Sequence, residues 1–336
     1  MVLRGPRFIF RKTIMITRSD IPDDVLRRQR LLDQTFQGAT VVSAVLVLVI
    51  LTGVIISLFV GGWQALDRFG IKFLFSDHWN PVTEQFGALV PIFGTLVSSI
   101  IALIIAVPIS FGIALFLTEI APHWLRRPIG TAIELLAAIP SIIYGMWGLF
   151  VFAPFMAKYV QPWLQQHFGD IPIIGHLFQG VIMGIGMLPA GIILGIMIIP
   201  FISAIMRDVF LTTPKFLKES AYGLGATHWE VAWNVVFPYT RVGAVGGIFL
   251  GLGRALGETM AVTFVIGNTH RFSASLFEPG NTISSTLANE FTEAVGDIHT
   301  SSLIALGLVL FMITFIVLAF AKILLLGLEA RNGAKS

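Results

Sequence analysis

An arginine and a glutamate inside an apolar run are the residues best suited to chemistry in this sequence. The stretch GGIFLGLGRALGETMAV places Arg254 and Glu258 near the middle of a segment long enough to cross a membrane. A charge at the bilayer centre costs about 2.5 to 3.5 kcal/mol on the insertion scale, so a lipid-facing position is untenable. On a helix the two positions lie about 40° apart around the axis and about 6 Å apart along it, so the spacing predicts an intrahelical ion pair. Two roles fit that pair. It can lock helices together, although Arg before Glu is the less favourable order and buried pairs often gain no more than their desolvation costs. Alternatively it can line a polar path. The planar fork of Arg254 matches tetrahedral oxyanions such as phosphate, and Glu258 can hold that fork when the path is empty or meet a substrate proton. Intramembrane ionisable groups are functional by default, which favours the path.

Other chemistries lack their residues. There is no cysteine, so thiolate nucleophiles, thiolate metal sites and disulfides are excluded. His78, His123, His167, His176, His228, His270 and His299 are dispersed without H-E-x-x-H spacing, and no metal site is expected. The sequence has no G-x-x-x-x-G-K-[ST], and the dipeptide Gly-Lys does not occur. No ATP-binding loop and no cofactor are therefore expected on this chain. Glu134 lies near a span end within reach of Arg126 and Arg127, which gives it a minor, structural role. Lys322 is expected to snorkel. Gly243, Gly247 and Gly251 recur every four residues, as do Gly253 and Gly257, a spacing that lets helix backbones approach closely.

These residues sit in a chain of 336 residues, 55% hydrophobic and 12% charged, with mean hydropathy +0.85. Soluble domains carry about a quarter charged residues, so an ordinary soluble enzyme is excluded. A span needs about 20 apolar residues, and six segments qualify: 39–60, 87–118, 129–156, 173–206, 242–267 and 302–326. Prolines 91, 108, 189 and 200 mark where the second and fourth kink or begin. Residues 1–38 read as a basic arm with a short helix capped at Ser19 or Asp20, 61–86 as an outer loop, 87–326 as a five-helix domain and 327–336 as a tail. With the N-terminus inside, the inner segments carry sixteen Lys and Arg and the outer segments only Arg68, Lys72, Lys158 and Arg271. That bias puts both termini in the cytoplasm. The net charge of +3 then resolves into +7 inside, −4 outside and zero within the membrane.

The inner loop 207–241 has helix punctuation at both ends. Thr213 and Pro214 can open a first helix that Gly223 and Gly225 end. Thr227 and Glu230 form a T-x-x-E capping box for a second, which Pro238 limits. The loop resembles the EAA motif of ABC importer permeases: Glu219, Ala221 and Gly225, then Val235, Phe237 and Pro238, with Ser220 in place of the first alanine. The resemblance implies that this loop docks on an ATPase subunit, with Glu219, Ala221 and Gly225 as coupling residues. The run Arg254–Val262, and ELLAAIPS from Glu134 with Tyr144 and Gly145, resemble phosphate permeases of the PstC type over about residues 39–326.

That similarity implies an all-α integral membrane protein with six transmembrane helices and a type I ABC importer permease fold. It implies a bacterial inner-membrane subunit forming half of a phosphate path by alternating access. Implied partners are a second, PstA-like permease, two PstB-like ATPase subunits that use the ATP, and a periplasmic PstS-like phosphate-binding protein. Nucleic acid is not an expected partner. A permease for sulfate or molybdate shares the loop. A proton-coupled carrier or membrane enzyme using Arg254 and Glu258 as a relay is the rival of another class.

Overall fold

The structure is a computed structural model that describes residues 23–172 and 175–333, with side chains described for 27–172 and 175–327. The cap expected at Ser19 or Asp20 lies outside the described residues. Two units divide the chain, Met1–Ser57 and Leu58–Ser336. Among the described residues six helices are long and apolar enough to cross a membrane: Arg27–Phe69, Leu89–Ile120, Ser141–Phe168, Met187–Leu211, His228–Leu256 and Asp297–Gly327. No strand occurs among the described residues.

In the N-terminal unit the residues from Val41 to Ile56 are largely exposed apolar side chains, as a helix surrounded by lipid requires. Its polar residues are satisfied internally. The hydroxyls of Thr35, Thr40, Ser43 and Thr52 each donate to a carbonyl three or four residues earlier at 2.8 to 2.9 Å. In hydrocarbon no water is present to take those protons.

In the main unit the fourth span is the central helix. Small residues let its neighbours close on it. A Cβ on Gly191 would meet Ile101 of the second span at 2.7 Å, and one on Gly195 would meet the Ala102 carbonyl at 3.2 Å. Ser110 Oγ donates to Ile199 O at 3.1 Å and fixes the same pair of helices. On the other side the fifth span lays Gly243, Gly247 and Gly251 against Val209, Ile205 and Ile202, where added Cβ atoms would sit at 2.6 to 2.9 Å. The partner numbers fall as the glycine numbers rise, so the two helices run antiparallel. The first glycine repeat is thus a packing seam within the chain. Gly253 and Gly257 do not share it: a Cβ there would meet nothing nearer than 3.8 Å.

Four spans depart from the apolar windows: the first is longer than 39–60, running over Arg27–Phe69 into the expected arm and outer loop, and three others depart at a proline or glycine. Helix His123–Ala137 stops before Pro140, and the third span begins only at Ser141, because Pro140 has no N–H to continue the ladder. In the apolar stretch before the fourth span the described residues form only a 3-10 turn, Gly175–Phe178, and the α-helix begins at Met187. Gly180, Gly184 and Gly186 hold positive φ there, and a Cβ on Gly184 would overlap the Ala153 carbonyl oxygen. The fifth span starts early, at His228, and passes Pro238 through a π turn over Ala232–Val236, so Pro238 does not end the helix. A wider turn accommodates the donor that proline lacks. The same helix stops at Leu256.

Candidate functional site

The stop at Leu256 reorganises the site expected at Arg254 and Glu258. Gly257 has φ −93° and ψ 2°, the chain leaves the helix over Gly257–Thr259, and a new helix, Met260–Ile266, follows. Positions 254 and 258 are therefore not one helical turn apart, and the expected intrahelical ion pair does not form. Among the described residues no carboxylate lies within 4.0 Å of the Arg254 guanidinium. Instead Glu258 Oε1 accepts from Ala261 N at 3.3 Å, doing the work of a helix cap. Arg254 is exposed on the last turn before the break, and its Cζ stands 5.6 Å from the centre of the Phe201 ring. A guanidinium over an aromatic face is held in place while its donors stay free.

The two sequence stretches that resembled phosphate permeases meet at this break. A Cβ on Gly145 would touch Phe264 at 2.8 Å, Met260 O at 3.0 Å and Ala261 Cα at 3.1 Å, so only glycine lets the third span close on the second half of the broken helix. Tyr144 is within electrostatic reach of Arg254, and its hydroxyl donates to Leu136 O at 3.0 Å. Tyr144 and Phe201 are thus site residues that the spacing of charges does not reveal. Glu134 lies outside the third span, on the preceding helix, and pairs with Arg207 Nη2 at 2.8 Å rather than with Arg126 or Arg127.

The inner loop forms the expected helical hairpin. Its first helix is Lys215–Gly223, and Gly225 at φ +88° turns the chain; no neighbour crowds that glycine, so its backbone angle alone demands the residue. The capping box is complete: Thr227 accepts from Glu230 N at 3.3 Å, and Glu230 Oε2 accepts from Thr227 N at 2.8 Å. Thr213 does not cap. Pro214 occupies the N-cap position, and Thr213 Oγ1 is buried without a partner. Glu219 is exposed, and Ala221 packs against the buried core.

Two links from this hairpin to the spans have no sequence signal. Lys218 Nζ donates to Glu119 Oε1 at 2.6 Å, with the side chains only 15% and 5% exposed, tying the first helix to the end of the second span. Rings form the other link. Trp229 stacks on Trp233 and Trp233 on Phe237, while Phe111 meets Phe237 and Phe210 edge-on. These contacts join the hairpin to the second and fourth spans.

At the opposite end, residues far apart in sequence gather on Glu290. His270 Nε2 lies 2.6 Å from Oε1, while Trp79 Nε1 donates to Oε2 at 2.6 Å and His299 Nε2 lies 3.1 Å from it. Burial opposes ionisation of this carboxyl, but the bond and charge of His270, with the bonds from Trp79 and His299, outweigh burial and hold it below its ordinary value of 4.5. A depressed carboxylate contributes stability that is present above the ordinary value and lost as pH falls through the folded one. Melting of the purified chain is therefore expected to drop as pH is lowered below 4.5. Glu290→Gln should flatten that part of the profile; an equally steep profile in the variant would assign the loss to other carboxylates.

Six spans, with a broken fifth one and a helical hairpin between the fourth and fifth, are the architecture of a type I ABC importer permease. A chain of the MetNI methionine ABC transporter, solved in an inward-facing conformation, has the same fold at TM-score 0.51, with 15% identity, over 71% of this chain and 94% of that one. Residues 106–328 match the family described as binding-protein-dependent transport system inner membrane component, and the chain belongs to that family. The phosphate transport system permease protein PstC of Mesorhizobium japonicum is 62% identical over 312 residues, 93% of this chain and 95% of the relative. PstC of Pasteurella multocida is 57% identical over 305 residues, 91% and 95% of the two chains.

Proposed function

We propose that this chain is the permease subunit of an ATP-driven inorganic phosphate importer, forming half of the translocation path and working by alternating access. The observation that carries the reading is an exposed Arg254 with no carboxylate on its fork among the described residues, beside a helix break in the fifth span, in a chain 62% identical to a phosphate permease. A guanidinium left unpaired within a membrane span needs an anion, and its planar fork suits phosphate. Sulfate and molybdate permeases are not favoured, because the relatives that share the Arg254–Val262 region are named for phosphate.

The subunit is placed in the bacterial inner membrane with both termini cytoplasmic, an orientation that the excess of Lys and Arg on the hairpin side supports. It pairs with a PstA-like permease, takes its drive from two PstB-like ATPase subunits, and receives phosphate from a PstS-like binding protein outside. The −4 charge of the outer segments supports delivery by such a protein, since an acidic face does not attract anions from bulk solvent. The chain itself holds neither ATP nor another cofactor.

Vesicles carrying this chain with those partners are expected to accumulate phosphate only with ATP. Uptake without the ATPase would instead favour a proton-coupled carrier. In the hairpin, Glu219, Ala221 and Gly225 position the docking surface. Gly225→Asp introduces a side chain at φ +88°, an angle that aspartate tolerates less well than glycine, and places a negative charge on the turn. Co-purification of the ATPase with this variant is expected to fall; unchanged recovery would remove the turn from the docking surface.

A further inference from the structure

Beside the hairpin lies a second basic feature that phosphate import does not use. Helix His123–Ala137 carries Arg126, Gly130 and Glu134 at four-residue steps, with Arg127 and Thr131 alongside. This face lines a cavity of about 260 Å³ whose far wall holds Arg207 and Leu211 of the fourth span and Leu117 at the end of the second. The cavity therefore opens where the spans end, at the level of a membrane surface.

Its three guanidinium groups are unequally occupied. Arg207 gives Nη2 to Glu134 at 2.8 Å and to Asp208 at 3.0 Å. A side chain at Gly130 would meet Arg207 Nη1 at 2.7 Å, so the glycine is what lets Arg207 lie against this helix. Arg126 uses only Nε, which donates to Ala121 O at 2.7 Å. Arg127 has no hydrogen bond or ion pair among the described residues. Glu134 is the single acid on the wall. With Asp208 also on Arg207, three cations face two carboxylates, and with the forks of Arg126 and Arg127 largely unspent the site is one anion short.

The remaining surface of the helix identifies the setting. Trp124 is 75% exposed and Leu135 65% exposed, an apolar side on a short helix outside the spans. A helix with basic and apolar faces, a tryptophan and a position at span ends lies in the headgroup layer.

We infer that Arg126, Arg127 and Arg207 form a site for a phosphate group at the membrane surface. Guanidinium forks match phosphate oxygens in pairs, and basic pockets between spans receive anionic lipid headgroups. The same chemistry is offered by a phosphodiester headgroup and by free inorganic phosphate. Leu117 and Leu211 in the wall, with exposed Trp124 on the same helix, favour the headgroup, since a free ion has no use for apolar surface.

The test is made on the full chain without ATPase or ATP, so its result does not depend on whether the importer reading holds. Purified chain is exposed to phosphatidylglycerol or phosphatidylcholine in mixed micelles, and bound lipid is counted by native mass spectrometry. A parallel sample is equilibrated with radiolabelled inorganic phosphate. Wild type is expected to retain phosphatidylglycerol over phosphatidylcholine, and Arg127→Gln and Arg126→Gln are each expected to lower that preference about fivefold, the effect of one cation near an anionic surface. Arg127→Lys should keep most of it, and a melting curve confirms that each variant is folded. A drop confined to the inorganic phosphate sample would make the free ion the ligand of the same site. Equal retention of both ligands by wild type and the folded Arg127→Gln chain would overturn the inference.

Discussion

Arg254→Gln in the reconstituted complex is expected to lose phosphate uptake by about one to two orders of magnitude while assembly survives. Hydrogen bonds to charged groups contribute about 1.5 to 3 kcal/mol, and each 1.4 kcal/mol is a factor of ten. Glutamine keeps a donor but neither the charge nor the fork. Because Arg254 is exposed and holds no carboxylate, the substitution orphans no partner, so melting should barely move. Arg254→Lys separates charge from geometry: a point charge without the fork should restore only part of the uptake. Glu258→Gln is the sharper companion. Its Oε1 can still accept from Ala261 N, so the helix break persists. Loss of uptake with unchanged melting would put the carboxylate's charge in the path, and normal uptake would leave Glu258 as a cap. Normal uptake in both the Arg254 and Glu258 glutamine variants would sink the path assignment.

The second large effect is structural. Glu119→Gln leaves the Lys218 ammonium, only 15% exposed, without its carboxylate. Breaking a buried pair from one side costs about 3 to 5 kcal/mol, so the hairpin should detach and the chain should melt at lower temperature. Replacing both residues by methionine removes the stranded charge, and buried pairs exchanged for apolar residues are often as stable or more so. The double variant is therefore expected to melt near wild type. If the single variant also melts like wild type, the pair does not hold the hairpin. If the double variant is stable but transport stays uncoupled from ATP, the pair links hairpin and span.

How much of this was legible beforehand follows from the range of each interaction. The number of spans could be read because a bilayer sets a minimum length, and the capping box at Thr227 and Glu230 because a cap closes within four residues. Span ends could not, because hydropathy does not register where a proline or glycine stops a helix. Pro140 and Gly257 both fall inside apolar stretches. The break at Gly257 also undid the Arg254–Glu258 pair, which rested on one unbroken helix. The glycine repeat announced close packing but not the fourth span as its partner. Lys218 and Glu119 are 99 residues apart, and Trp79 and Glu290 are 211 apart; no local pattern signals either contact.

The hairpin also bears on the lifetime of the subunit in a cell. Phe216, Leu224 and Trp229 are 64%, 91% and 65% exposed on a segment that the proposed topology puts in water rather than lipid. Apolar side chains displayed there mark an unmated surface, which other chains and proteases can engage. In the proposed complex, a copy synthesised in excess of its ATPase would keep that surface bare, whereas a mated copy would hide it. If the hairpin docks on an ATPase as proposed, turnover of the orphan subunit is expected to follow the supply of that partner, so that Phe216, Leu224 and Trp229 would set stoichiometry as well as docking.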